Sequence, residues 1–345
     1  MIACANARTL LDSVATIAMT LARFSLMLIA SAALAGGAYL AHAFQRDVRQ
    51  HRERVASGSR MLATKCGAIE LAEVGEGAPL VIAHGTGGGF DQGMNFGATL
   101  AQRGVRVIAP SRFGYLRTPY SLDASAEAQA DLFACMLDEL GIERASIVGI
   151  SAGANSALQF AIRHPARTSA LILLVPAAYQ PATGGTTADA SPLREQLLMR
   201  IVGSDFMFWL VNRYAHETVV RMVFATPGEE YRKASIEERA RVDRVLTEIL
   251  PISARAHGML NDARLASHPP RYALDQIRAP TLLISARDDL YGTYGAASYS
   301  AQHISNACFI GFEHGGHAWL GHHAEVMSRV AEFVHKNARA ATFAC

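Results

Sequence analysis

Short apolar runs alternate with amphipathic stretches along most of the chain, a pattern that predicts strands followed by helices. The runs lie at 79–83, 105–109, 145–148, 170–175, 280–284 and 308–312. Each is apolar along almost its whole length, which is typical of strands buried on both faces of a parallel sheet. The stretch 124–140, amphipathic and closed by Gly141, is one of the helices expected between them. The pattern therefore predicts an α/β fold, with a mostly parallel central sheet and helices on both faces.

Two regions depart from this alternation. Arg60–Val74 alternates loosely between apolar and polar residues and predicts a β-hairpin ahead of the parallel strands. Residues 177–275 contain no strand-like run, so a helical insertion is expected after the sixth strand. The insertion separates two parts of the core, 60–176 and 276–345. Its most apolar stretch, Leu193–Tyr214, predicts a helix.

The N-terminal part has a different character. Residues 24–44 carry no charge, and a helix of that length, rising about 1.5 Å per residue, just spans a bilayer. We expect a single-pass membrane anchor there, preceded by a basic segment, 1–23, and followed by a polar linker or juxtamembrane helix, 45–59. A cleaved signal peptide is the alternative, because Ala33–Ala35 and Ala41–Ala43 both fit cleavage after small residues.

The side of the membrane depends on which of these two interpretations holds. Arginines follow the apolar segment at positions 46, 49, 52, 54 and 60. Under the positive-inside rule they predict an anchor in a bacterial inner membrane with the rest of the chain on the cytoplasmic side. A periplasmic or secreted domain stays open, because a signal peptide overrides that rule.

Composition adds mainly exclusions. The 345 residues, half of them hydrophobic, suffice for a sizeable core in one elaborated domain. A net charge of +2 gives no electrostatic reason to expect a nucleic-acid partner. The five cysteines are scattered, so we expect neither a disulfide framework nor a zinc site, and Cys135 and Cys308 are expected in the core. The oligomeric state is not indicated.

The chemistry centres on Gly149-Ile150-Ser151-Ala152-Gly153, which joins the run 145–148 to a helical stretch, 154–164. A turn this sharp holds the backbone of Ser151 in a strained region, and only small residues two positions before and after it avoid a clash. A serine that merely caps the helix is the structural alternative. The strand–GxSxG–helix arrangement resembles the nucleophile turn of the α/β-hydrolases.

The resemblance implies that an acid and a histidine follow the serine in that order, each after a later strand. With Ala286 as the small residue at the strand end, the family's spacing selects Asp289 as the acid, and Asp288 is the alternative. A loop in which both aspartates are only solvated is the structural interpretation.

The histidine base corresponds to His317, which follows Gly315-Gly316 after the last strand. Its rivals are His314, His322 and His323, the last two more simply the start of the final helix. The cluster lacks carboxylate or cysteine ligands at the usual spacing, so no metal and no other cofactor is expected.

The resemblance also implies an oxyanion hole of two backbone N–H groups. One belongs to Ala152, directly after the nucleophile at a helix N-terminus. The other comes from the loop His84-Gly85-Thr86-Gly87, where Thr86 is the first choice and Gly87 the second. A plain flexible turn is the alternative, and His84 is expected to support the loop rather than to catalyse.

By the same resemblance the helical insertion is a lid, and the turn Pro110–Tyr115 is structural, with Arg112 or Tyr115 able to border the pocket. Phe206 and Trp209 of the insertion, together with Gly87, are the expected substrate-binding residues. Packing of the insertion against the sheet is the other use of such apolar side chains.

A serine nucleophile under a lid implies acyl transfer to water, by default hydrolysis of a carboxylic ester through an acyl-enzyme. A membrane anchor favours a hydrophobic, lipid-like ester as substrate. The alternatives of the same fold are a carbon–carbon bond hydrolase, a cofactor-free haloperoxidase-like enzyme and a non-catalytic ligand-binding protein. The intact serine, acid and histidine argue against the last.

Overall fold

The computed structural model describes residues 2–181 and 203–339. The chain divides into two compact units, Met1–Gln50 and His51–Cys345. The first unit is the greater part of one helix, α1 (Ile2–Ser57). From Met19 onward α1 contains an apolar window with a mean hydropathy of 1.8 and no buried residue. By length and composition this helix could cross a membrane. A signal sequence near the N-terminus meets the same criteria.

Eight strands form one sheet in the second unit. They are β1 (Arg60–Thr64), β2 (Gly67–Val74), β3 (Ala78–Ala83), β4 (Val105–Pro110), β5 (Ala145–Ile150), β6 (Thr168–Leu174), β7 (Thr281–Ala286) and β8 (Ala307–Phe312). Their order in space is β1-β2-β4-β3-β5-β6-β7-β8. The β1–β2 hairpin and the β2–β4 pair are antiparallel, and every other pair is parallel. The predicted α/β fold and its leading hairpin are confirmed.

Helices cover both faces of this sheet. Those described in the second unit are α2 (Phe90–Ala101), α3 (Ala126–Glu139), α4 (Ala154–Arg163), α5 (Asp205–Tyr214), α6 (His216–Val223), α7 (Gly228–Lys233), α8 (Ile236–Glu248), α9 (Ala256–Ser267), α10 (Thr293–His303) and α11 (His323–Arg339). Neighbouring strand residues point to opposite faces. Val81 packs in the core shared with α3 and α4, whereas Leu80 packs in the core shared with α2 and α11. This alternation explains why the central strands are apolar throughout.

The strand order places two loops side by side. The chain runs from β3 outward to β4, then returns past β3 to form β5. At such a reversal the loops leaving the carboxyl ends of adjacent parallel strands diverge and leave a crevice, the usual ligand position in open α/β sheets. Here those loops are 84–89, after β3, and the turn at Ser151, after β5.

The insertion after β6 is helical in its described part, residues 177–181 and 203–275. It contains α5 to α9 and no strand among those residues. Of the predicted helix Leu193–Tyr214, the stretch Asp205–Tyr214 is helical. The rest of that helix lies outside the described residues.

One expectation about the cysteines is wrong. Cys66, in the turn between β1 and β2, forms a disulfide with Cys135 on α3, with the two Cα atoms 6.0 Å apart. The bridge ties the edge hairpin to a helix that covers the sheet. The two cysteines are separated by 69 positions, so their spacing alone carried no sign of the pairing. Cys135 is nevertheless buried, as expected.

Candidate active site

The turn after β5 holds Ser151 in a strained backbone conformation. Its φ is 51°, in the left-handed region that non-glycine residues rarely adopt. Only glycine fits at the two flanking positions, 149 and 153. A Cβ on Gly149 would lie 2.6 Å from the Cα of Ala154, and one on Gly153 would overlap the carbonyl oxygen of Ala83. The turn therefore lifts the serine from the strand end onto the start of α4.

Asp289, which follows β7, and His317, which follows β8, form a buried pair. The Nδ1 of His317 lies 2.7 Å from Oδ2 of Asp289, and the two residues are 7% and 5% exposed. The same carboxylate accepts a hydrogen bond from Thr293 Oγ1, and its other oxygen accepts one from the backbone N–H of Tyr291 at 2.9 Å. The Tyr291 ring meets the imidazole edge-on, with centroids 5.1 Å apart. With Nδ1 turned to the carboxylate, Nε2 is the ring nitrogen left for another partner.

The rival acid has a different position. Asp288 accepts hydrogen bonds from the backbone N–H groups of Gly315 and Gly316, at 3.2 and 2.8 Å. It therefore holds the loop that leads to the histidine, while Asp289 contacts the ring itself. The sequence spacing had left open which of these two neighbouring carboxylates pairs with the histidine.

The rival histidines lie elsewhere. His314 is 73% exposed and groups with Glu230 and Asp288, their ligand atoms within 4.8 Å of one another. His322 stacks on Phe312, with centroids 3.9 Å apart. His323 begins α11, where burial and the nearby Arg241 lower its pKa to about 4.

The loop after β3 forms a turn closed by a hydrogen bond from Gly88 N to Gly85 O, with Gly87 at φ 75°. Burial raises the pKa of the Tyr115 hydroxyl well above its usual value, and the nearby backbone of Gly87 opposes this in part. Thr86 and Gly87 both stay candidates for the oxyanion donor beside Ala152. From the insertion, the side chain of Ile249 lies against Gly87.

A buried polar network holds this loop in place. Arg112 donates through Nε to the carbonyl of His84 and, through both terminal nitrogens, to the carboxylate of Asp262 at 2.7 Å each. Asp262 lies on α9 of the insertion and also accepts from Tyr115 and, at 2.9 Å, from Thr86 Oγ1. Burial alone would raise the pKa of Asp262, but the Arg112 guanidinium holds it below its usual value.

His84 is a neutral member of this network. Its Nε2 accepts the backbone N–H of Arg112, and its Nδ1 lies 2.8 Å from the carbonyl of Gly85. Burial, and then the charge of Arg112, lower its pKa to about 3. It therefore stays uncharged at neutral pH and supports the loop, in line with its expected role.

A second ion pair clamps the other end of the loop to the insertion. Arg255, fully buried, donates to the carboxylate of Asp91 on α2 and to the carbonyl of Gly88. Asp91 also accepts from Arg54 at 2.7 Å. Asp262 and Arg255 could not be identified from the sequence, since nothing in a single sequence links residues 150 or more positions apart to their partners.

The expected acyl-pocket residues lie on α5. Ser204 caps that helix, Trp209 is buried, and Phe206 is 38% exposed, with the two rings stacked 6.2 Å apart. Asp205 beside them accepts from the backbone of Ser253 within the insertion. Contact of either ring with substrate stays a prediction.

Residues 78–321 match the model of the alpha/beta hydrolase fold family. The chain is an α/β-hydrolase. It is 28% identical over 80% of its length to 2-hydroxy-6-oxononadienedioate/2-hydroxy-6-oxononatrienedioate hydrolase 2 of Pseudomonas putida, covering 95% of that protein. An alpha/beta hydrolase fold protein from Nakamurella multipartita superposes with a TM-score of 0.65 at 25% identity, over 82% of this chain and all of the other.

A second similar structure, described as a membrane phospholipase A and a bacterial virulence factor, is matched over more of the chain. Its TM-score is 0.60 at 21% identity, and the match spans 92% of this chain and 99% of that one. Identity this low establishes the common fold alone. These relatives are hydrolases. Membership of the family therefore supports the conclusion that this protein is an enzyme that acts on a small molecule.

We expect the Asp262→Asn substitution to lower kcat by about 10- to 100-fold. This loss is smaller than the one that follows complete removal of an oxyanion donor. The substitution removes the charge that holds Arg112 and loosens the contact to Thr86, while the proposed nucleophile and base are untouched. Steady-state kinetics on a soluble ester would measure it. Asp275→Asn, at an exposed position of the insertion, is the matched control. A fall in thermal stability with kcat unchanged would show that the network serves folding only.

Proposed function

We propose that this α/β-hydrolase is a serine carboxylic-ester hydrolase in which Ser151 is the nucleophile, His317 the base and Asp289 the orienting acid. One observation carries the proposal. The strained serine and the buried Asp289–His317 pair all follow strands at the carboxyl edge of one sheet. A histidine anchored at Nδ1 by a buried carboxylate is the arrangement that makes a serine hydroxyl nucleophilic.

The reaction follows from these positions. Ser151 Oγ attacks the ester carbonyl carbon and gives its proton to His317 Nε2. The N–H groups of Ala152 and Thr86 stabilise the negative oxygen of the tetrahedral intermediate. Its collapse breaks the bond to the alcohol oxygen, which takes the proton from the imidazolium. Water then attacks the acyl-enzyme by the same steps, releasing the acid and restoring the serine.

The second candidate is hydrolysis of a carbon–carbon bond, favoured by the relative whose name specifies an oxo-dienedioate and no ester. Such a substrate carries two carboxylates, which need cationic partners in a buried site. Among the described residues, the buried cationic side chains are Arg112 and Arg255. Both are already paired with Asp262 and Asp91. This pairing favours an uncharged ester over a dicarboxylate.

We also propose that α1 anchors the protein in a membrane, which supports a lipid-like substrate. The match to the membrane phospholipase A spans 92% of this chain, more than the unit His51–Cys345 supplies, so it extends into residues 1–50. The exposed apolar side chains of α1 between Phe24 and Leu34 suit a lipid environment. An enzyme held at a bilayer meets hydrophobic esters at high local concentration.

The disulfide is evidence for the side of the membrane on which the hydrolase unit lies. Disulfides persist in oxidising compartments and are rare in the cytosol. We therefore propose that the unit faces the periplasm, although the arginines after the apolar segment predict the opposite.

If the bridge forms in the cell, protein purified without reductant should have Cys66 and Cys135 protected from a maleimide until dithiothreitol is added. The double substitution Cys66→Ser, Cys135→Ser should then lower the free energy of unfolding by about 2–4 kcal/mol. Intact-mass measurement of maleimide adducts and urea unfolding provide the two readouts. Free thiols at both positions in freshly isolated membranes would contradict the periplasmic assignment.

A substrate panel tests the reaction itself. We expect hydrolysis of p-nitrophenyl esters that is maintained or rises from butyryl to octanoyl chains, because a lipid-like acyl group gains about 0.8 kcal/mol per buried methylene. A 2-hydroxy-6-oxo-dienedioate, followed by loss of its absorbance, is the competing substrate. Faster turnover of the dienedioate than of every ester would favour the carbon–carbon candidate, and a steep fall in rate beyond butyryl would contradict the lipid-like substrate.

A further inference from the structure

A small polar pocket adjoins the proposed oxyanion hole. It lies between the N-terminal ends of α3 and α4 and the insertion helix α9, with Ala152, Gln129, Asn155 and Asn261 among its lining residues. It has room for roughly one water-sized group. The reaction described above uses none of these side chains.

Gln129 brings an unused donor to this pocket. The residue is 4% exposed, and its Oε1 accepts the backbone N–H of Phe113 at 2.7 Å. That contact fixes the orientation of the amide, because the flipped form would turn its NH₂ group toward another donor. Nε2 is then left without a hydrogen-bond partner among the described residues.

Asn155 brings an unused acceptor. It is 6% exposed, and its Nδ2 donates to the carbonyls of Ala152 and Ala177, at 3.3 and 3.0 Å. Two carbonyl partners fix this amide as well. Its Oδ1 has no partner among the described residues.

Buried polar atoms without partners are rare in folded proteins, and two of them on the wall of one pocket indicate a ligand group that satisfies both. A hydroxyl both accepts and donates. We propose that this pocket is a subsite for a hydroxyl on the alcohol part of the ester, which accepts from Gln129 Nε2 and donates to Asn155 Oδ1. The inference rests on the proposed function. Because Ala152, a proposed oxyanion donor, also lines this pocket, a hydroxyl close to the reacting ester group, as in a glycerol ester, suits the position.

Glyceryl monobutyrate and propyl butyrate share the acyl chain and the three-carbon alcohol skeleton, and differ in the hydroxyls. We expect the wild-type protein to hydrolyse the glyceryl ester with a kcat/KM about 3- to 10-fold higher, the usual effect of one hydrogen bond. Gln129→Met, of similar size but without a donor, should bring the ratio of the two kcat/KM values close to one while hydrolysis of propyl butyrate continues. Gln302→Met, at an exposed position, should leave the ratio as in the wild type.

The wild-type ratio decides the matter even if the Gln129 variant does not fold. Equal kcat/KM for the two esters, with both hydrolysed, would overturn the subsite alone and leave the pocket to solvent. Hydrolysis of neither ester would overturn the proposed function and the subsite with it. A glyceryl preference that survives in Gln129→Met would place the hydroxyl elsewhere and also overturn the subsite.

Discussion

Ester hydrolysis by the Ser151→Ala variant is expected to fall by about 10⁴- to 10⁶-fold in kcat, to the level that binding and the oxyanion hole alone supply. The substitution removes only the attacking oxygen and leaves the backbone of the turn intact. Steady-state rates on a p-nitrophenyl ester, together with loss of labelling by a fluorophosphonate, would measure it.

Ser156→Ala is the matched control for that variant. Ser156 is buried and lies on α4, which starts three residues after Ser151, and its hydroxyl donates to the carbonyl of Gly153 at 3.1 Å. We expect it to keep activity within about tenfold of the wild type, the range of one neutral hydrogen bond. His317→Ala should lose about as much as Ser151→Ala, and the double variant little more, since the two groups act as a unit. Labelling that persists in Ser151→Ala would place the nucleophile elsewhere.

The second large effect separates two neighbouring carboxylates. Asp289→Asn should lower kcat by about 10⁴-fold, because an amide in place of the carboxylate favours the wrong imidazole tautomer and no longer stabilises the imidazolium. Asp288→Asn keeps one acceptor oxygen and so one of the two hydrogen bonds from the N–H groups of Gly315 and Gly316, and the loss of kcat should stay within about tenfold. Rates measured on one ester for both variants compare the two roles directly. Equal losses, or the larger loss at Asp288, would contradict the assignment of the acid.

The sequence predicted the sheet, the hairpin and the position of the serine because each depends on local pattern. Apolar runs specify buried strands, and the glycines at 149 and 153 specify close approach to Ala154 and Ala83. The pairing of acid and base was predictable only through family spacing. The choice between Asp289 and Asp288 needed the loop geometry. Asp289 contacts the imidazole ring of His317, whereas Asp288 accepts hydrogen bonds from backbone N–H groups.

What the sequence could not predict are contacts between distant segments. Arg112 and Asp262 are 150 positions apart, and each lies in a stretch whose own pattern is that of an ordinary turn or helix. The same holds for Cys66 and Cys135, one in a polar turn and the other in an apolar helix. Buried polar partners are set by tertiary packing, and no periodicity records them.

The two buried arginine–aspartate pairs have a consequence for how this protein can change. In each pair one charge belongs to the core and the other to the insertion, with the signs crossed: Arg112 and Asp91 are in the core, Asp262 and Arg255 in the insertion. A transplanted insertion from another hydrolase would leave Arg112 without its counterion and Asp91 with Arg54 alone, unless it carried the same acidic and basic residues at the same points. Recombination or design that treats the insertion as an interchangeable module should therefore fail at the level of folding, before substrate preference is ever tested.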